Sequence, residues 1–169
     1  MQPPVMTEEQ IEEIKSNLTK DTVLLEWGTG GSSVEFSPMV KEYHGIEHGK
    51  SWAEEVQEAV FDVKGAFIHH VKTNFPEDSE MPKEQIFKDY IEFPLILGIT
   101  PNVVIIDGRA RVACAESVLN MIDENCCVYF HDWERKQYHD ALAWYEQTGF
   151  IEGEVGSLAR LRKRQNGNS

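Results

Sequence analysis

The run "TVLLEW", Thr22 to Trp27, is apolar without alternation and ends on an acid followed by a tryptophan. Such a strand is apolar on both faces, and a sheet buries it only when helices cover both sides. "NVVIID" (Asn102 to Asp107) repeats the pattern and ends on Asp107. Between and after these runs, strand-like and helix-like segments alternate from Thr22 to Thr148. That order predicts an α/β fold with a doubly wound, mostly parallel sheet. Two final strands with no helix between them add an antiparallel closing pair.

"TEEQ" (Thr7 to Gln10) has the form of a capping box with Thr7 as N-cap, and Ile11, Ile14 and Leu18 follow at helical spacing. After the first strand, Ser32 or Ser33 is expected to cap a short helix that Pro38 disturbs. "EYHGIEH", "AFIHHV" and "CCVYFHDW" read as the second, third and fifth strands. "SWAEEVQEAVF" and "VACAESVLNMI" read as amphipathic helices. Residues 72–98 are too long for a simple connection, with a helix expected near Lys83 to Glu92. Phe75, Phe87, Tyr90 and Phe93 make this segment a candidate cover over a site. "RKQYHDALAWYEQT" is expected to be a helix, with "FIEGEV" and "SLARLRK" as the closing strands hinged at Gly156. The reading is one domain over residues 1–164 and a disordered tail over 165–169.

The 169 residues carry a formal net charge of -13. A surface this acidic repels a phosphate backbone, which argues against nucleic acid. The only basic cluster, "RLRKR" (Arg160 to Arg164), reads as a solvated last strand. No apolar run reaches membrane-spanning length and the first residues show no signal-peptide pattern, so a cytoplasmic location is expected and no membrane partner. Cys114, Cys126 and Cys127 are odd in number and imply no disulfide framework. Adjacent strand residues face opposite ways, so the last two read as buried thiols rather than a ligand pair.

Sheets of this class bind ligands beyond the carboxyl ends of their strands. There the sequence offers Glu26, Glu47, Asp107, His131 and Asp132. "GTGGSS" (Gly28 to Ser33) partly fits the glycine pattern of dinucleotide sites, so a nicotinamide-dependent oxidoreductase is one reading. A pyrophosphate seeks the free N–H groups of a helix N-terminus, and Glu26 just before the glycines would repel it. A cationic ligand without phosphate suits Glu26 better, and S-adenosylmethionine is one. Glu47, about twenty residues on, suits the ribose hydroxyls of either ligand.

The chain resembles class I S-adenosylmethionine-dependent methyltransferases from about Leu24 to about Lys163. "LLEWGTGGSS" is similar to the first motif of that family, "GIEHGKSWAEEV" to its second strand and helix, "VVIIDGRARVACA" to its fourth-strand region and "VYFHDW" to its fifth. Within the family, Glu26, Gly28 and Ser33 look most like the catechol O-methyltransferase group. The resemblance implies cofactor contacts from Glu26, Gly28, Thr29, Gly30, Ser33, Glu47, His48 and Asp107. It also implies a divalent metal, Mg²⁺, held by Asp107 and Asp132. The asparagine that completes the metal set in that group is Trp133 here, and Arg109 and Arg111 lie close enough in sequence to neutralise Asp107 instead.

The expected activity is methyl transfer to an oxygen or nitrogen of a small molecule. Asp107, His131 and Asp132 are the catalytic candidates, with His131 as base. Arg109 and Tyr90 are the substrate-binding candidates. Plainer readings stand beside these: Asp107 as a turn former before Gly108, Asp132 as a helix cap, Arg109 as a partner of Asp107. His69 and His70 read as surface histidines, and Trp27 and Trp52 as packing residues. A non-catalytic relative that keeps the fold for binding or scaffolding is the alternative function.

Overall fold

The structure is a computed structural model and describes residues 1–165. Its strands are β1 (Val23–Trp27), β2 (Glu42–Glu47), β3 (Ala66–His70), β4 (Val103–Ile106), β5 (Cys127–His131), β6 (Tyr145–Ile151) and β7 (Leu158–Lys163). They form one sheet in the order β3-β2-β1-β4-β5-β7-β6. β3, β2, β1, β4 and β5 run parallel, while β7 is antiparallel to both β5 and β6. The strand order reverses between β1 and β4, which opens a crevice at their carboxyl ends.

Helices α1 (Glu8–Lys15), α2 (Gly31–Phe36), α3 (Lys50–Ala59), α4 (Lys83–Ile86), α5 (Lys88–Glu92) and α6 (Arg111–Val118) cover the sheet. Two buried layers result. One gathers Leu25, Trp27, Val104, Ile106 and Phe130 with α5 and α6; the other gathers Ile14, Leu24, Phe36, Val103, Ile105 and Tyr129 with α1 and α2. Alternate residues of β1 and β4 thus go to opposite layers, as two-sided burial requires. Cys126 and Cys127 divide the same way, and all three cysteines are buried free thiols. Thr7 forms the expected capping box with Gln10.

Three local expectations are corrected. Tyr145 to Thr148 are strand, not helix: β6 begins at Tyr145, after a 3-10 segment over Lys136–Ala143. Tyr145 still faces the core, because its hydroxyl donates to Ala115 O at 2.8 Å. The helix near residues 83–92 is two short helices broken at Phe87. Ser32 and Ser33 are inside α2, whose N-cap is Gly30. In the candidate cover over residues 72–98, Phe87, Tyr90 and Ile91 belong to the core, while Lys83, Glu84 and Phe87 line a surface cleft. Among the described residues no helix is long and apolar enough to cross a membrane. Of the tail expected from Gln165, residues 166–169 lie outside the described residues.

Candidate functional site

The glycine loop after β1 is held by backbone contact. Gly28 N donates to Ile46 O at 3.0 Å, and Asp107 N donates to Trp27 O at 3.0 Å. Gly28 has φ +87, and a Cβ there would stand 2.6 Å from the backbone of Gly108. The loops after β1 and β4 therefore touch main chain to main chain, which only glycine permits. Trp52 of α3 donates its indole N–H to Thr29 O at 2.6 Å and is 40% exposed on the cleft wall. It is more than the packing residue expected, whereas Trp27 is fully buried as expected.

Glu26 lies beneath this loop rather than facing the cleft. It is fully buried, takes a 2.5 Å hydrogen bond from Ser32 Oγ, and meets the Tyr43 hydroxyl. Tyr43 Oη is also 2.7 Å from Ser33 Oγ, so the two hydroxyls form a chain that ends on the Glu26 carboxyl. Burial pushes the Glu26 carboxyl up to about 8, against the pull of the Ser32 and Tyr43 hydrogen bonds. Ser33 faces the same cluster, and its hydroxyl accepts from Gly30 N at 3.0 Å.

Glu47 ends β2 on the cleft floor. Its Oε1 accepts from the N–H groups of His48 and Gly49, each at 2.8 Å. Oε2 makes only longer contacts to Thr29, 3.3 Å from N and 3.4 Å from Oγ1. Burial opposes its ionisation, but the His48 ring and the Gly49 N–H outweigh that and hold the carboxyl below its ordinary range. His48 Nδ1 is 2.9 Å from Oε1, off hydrogen-bond alignment, and Nε2 is 3.2 Å from Glu77. The contact with Glu47 raises the His48 pKa despite partial burial.

Asp107, His131 and Asp132 converge from β4 and β5. His131 Nδ1 is 3.1 Å from Asp107 Oδ1. The His131 ring is buried, its Nε2 has no partner among the described residues, and the backbone of Gly156 closes over it. Arg111 enters the same cluster. Its Nη2 is 3.1 Å from Asp107 Oδ1 and 3.1 Å from Asp132 Oδ2. Arg135 adds a second contact to Asp132 at 3.1 Å. Asp132 does not cap a helix: its carboxylate goes to the two arginines, and its φ of 59 puts it in a tight turn before the 3-10 segment. Arg109 does not neutralise Asp107; it is exposed, 3.7 Å from Glu77.

These residues do not fit a divalent metal. Asp107, His131 and Asp132 can bring their ligand atoms within 4.8 Å of one another. A guanidinium, however, already lies between the two carboxylates. Trp133, where the resemblance implies the last ligand, points away from them. Its indole donates to Gln147 Oε1 at 2.8 Å and its ring packs on Phe130.

Gly28, Thr29, Glu47, His48, Trp52, Asp107 and Arg111 line one cleft of about 430 Å³. A second, of about 450 Å³, adjoins it through Gly108, Arg109 and Arg111. Gly30 and Ser32 line a smaller recess beside the first, against Gln2 to Met6. Neither main cleft is lined by Glu26, Ser33, Tyr90, His131 or Asp132. Tyr90 is a core residue with an enclosed hydroxyl, directly under Gly108. His70 is exposed, but His69 is half-buried: its Nε2 is 3.1 Å from His44 Nδ1, and burial lowers its pKa to about 4. Trp52, Gly49 and Gly108 were not anticipated as cleft residues. "DG" after an apolar strand was the available signal for Gly108.

No protein-family model matches the chain, and no curated protein matches it. Solved structures do. A methyltransferase-like protein from Silicibacter pomeroyi has a TM-score of 0.69 at 21% identity, covering 99% of this chain and 90% of that one. An rRNA methylase from Streptococcus thermophilus has a TM-score of 0.70 at 8% identity, covering 98% and 99%. A Streptococcus mutans protein, described as a candidate methyltransferase and solved with S-adenosylhomocysteine, has a TM-score of 0.66 at 9% identity, covering 97% and 99%. The chain has the class I S-adenosylmethionine-dependent methyltransferase fold. The closing β6–β7 pair beside β5 completes it.

Proposed function

We propose that this protein binds S-adenosylmethionine in the cleft between the β1 and β4 loops and transfers its methyl group to an oxygen or nitrogen of a small molecule. Glu47, set in a cleft of the methyltransferase fold, carries the reading. It is an ionised carboxylate at the end of β2, anchored through Oε1, with Oε2 only loosely engaged on the cleft floor. That suits a pair of ribose hydroxyls as donors. The solved structure with S-adenosylhomocysteine supports the same cofactor class.

The cofactor supplies an electrophilic methyl group; the protein aligns the two reactants and manages one proton. Gly28 and Gly108 bring bare backbone to the cofactor. Asp107 lines the cofactor cleft, and its Oδ1 is taken by His131 and Arg111. Its Oδ2 is the group to accept the acceptor's proton. His131 is then a positioning residue behind Asp107 rather than the base at the cleft wall. The acceptor occupies the adjoining cleft beside Arg109. A net charge of -13 favours a small molecule over RNA.

The test is a calorimetric panel of S-adenosylmethionine, S-adenosylhomocysteine, NAD and NADP, followed by transfer of labelled methyl to a library of small acceptors. Binding of the two adenosyl compounds is expected, with no heat from the nicotinamides. Binding of NAD alone would overturn the reading.

A further inference from the structure

Arg111 is the first residue of α6, and every nitrogen of its guanidinium is engaged. Nε donates to Gly108 O at 2.9 Å and Nη1 to His131 O at 2.6 Å. Nη2 is 3.1 Å from each of Asp107 and Asp132. The Tyr138 ring lies 5.3 Å from the guanidinium carbon. Arg111 is only 9% exposed, so solvent screens these contacts weakly. It ties β4, β5 and α6 together at their carboxyl-end junction. With Arg135 on the far side of Asp132, two guanidiniums balance two carboxylates. The amino end of α6 adds a further partial positive charge beside Asp107.

We infer that Arg111 is a built-in cation, holding Asp107, His131 and Asp132 in the arrangement that a divalent metal would otherwise impose. Mg²⁺ needs carboxylate oxygens about 2.0–2.1 Å away, so it would have to displace the guanidinium. Arg111 thus has a positioning role. It fixes Asp107 Oδ1 and leaves Oδ2 outside these contacts, with no demand for Mg²⁺. The inference concerns the ion-binding capacity of the cluster and does not depend on the methyltransferase reading.

Mn²⁺ is the probe, because its free-ion electron paramagnetic resonance signal disappears on binding and its ligand preference covers carboxylate and imidazole. The wild-type protein is expected to leave Mn²⁺ free through the low-millimolar range. Arg111→Met, which keeps the stem and removes the charge, is expected to bind one Mn²⁺ per chain at least tenfold more tightly. Asp107→Asn in that background should abolish the gain, and Arg111→Lys should behave as wild type. If Arg111→Met does not fold alone, Mn²⁺ should restore its cooperative melt while leaving the wild-type melt unchanged. Stoichiometric Mn²⁺ binding by the wild type that is lost in Asp107→Asn would overturn the inference. So would a folded Arg111→Met that gains nothing, or an unfolded one that Mn²⁺ does not rescue. None of these readouts involves S-adenosylmethionine, so a failed transfer assay leaves the inference standing.

Discussion

Glu26 makes the folded protein sensitive to pH in a window where most carboxylates are silent. Its carboxyl is pushed up to about 8, from an ordinary 4.5, chiefly by burial. Between those values the native state holds a proton that the unfolded chain has released. The stabilising contribution is fully present below the unfolded pKa and is lost as pH rises through the folded one. The slope from this one group is about 1.4 kcal/mol per pH unit, so the whole window is worth on the order of 5 kcal/mol. Against a total stability of roughly 5–15 kcal/mol, that is large.

The perturbation is Glu26→Gln, which keeps the shape and removes the titration. Urea unfolding at intervals from about pH 5.5 to 7.5 gives stability from midpoint and slope. Over those two units the wild type should lose about 2.5 kcal/mol more than the variant. The His48 pKa is also raised, which adds loss in the same direction, but that is common to both proteins and cancels. Two parallel curves would refute the reasoning: Glu26 would then be ionised in the native state, as a ligand-facing acid would be.

Glu47→Ala should weaken S-adenosylmethionine binding by about 1–3 kcal/mol in calorimetry, the scale of hydrogen bonds to a charged group. Gly28→Ala needs φ +87 and meets Gly108, so a loss of at least about 1–3 kcal/mol from strain alone is expected in thermal unfolding. Asp132→Asn keeps a residue that tolerates positive φ but removes the charge between Arg111 and Arg135. A loss of about 2–4 kcal/mol by urea unfolding is expected, where a simple helix cap would be nearly silent.

The parallel sheet was readable because β4, and β1 apart from Glu26, are apolar at every position, and two-sided burial leaves few alternatives. The closing pair was readable as strands, but its start was not. Tyr138, Ala141, Leu142 and Tyr145 fall at helical spacing, and the sequence holds no breaker between Ala143 and Tyr145. Tertiary pairing with β7 draws Tyr145 into the sheet. The strand-end acids were readable as a set because the ends of parallel strands share one edge. Their individual roles were not. Whether Glu26 faces a ligand depends on Tyr43, which approaches it from the neighbouring strand β2. Arg109 and Arg111 are indistinguishable by spacing, yet only the second is a helix residue turned back under the loop.

Three acids at the ends of adjacent strands pose one electrostatic problem, and the protein solves it three ways. Glu26, enclosed under the glycine loop, is held protonated. Asp107, with its neighbour Asp132, is matched by Arg111 and Arg135. Only Glu47 keeps its charge through backbone N–H groups and His48, with one oxygen loosely held at the cleft. Uncompensated, three carboxylates around one crevice would repel one another and attract cations indiscriminately. As built, the negative charge is confined to the one position where hydroxyl donors are expected. The glycine loop presents neutral backbone, and the β4–β5 junction presents a neutral ion cluster with its cation fixed in the chain. A ligand with hydroxyls at one end and no phosphate meets that pattern, because the ionised Glu47 carboxylate takes the hydroxyls and nothing else on the cleft floor carries an unmatched charge.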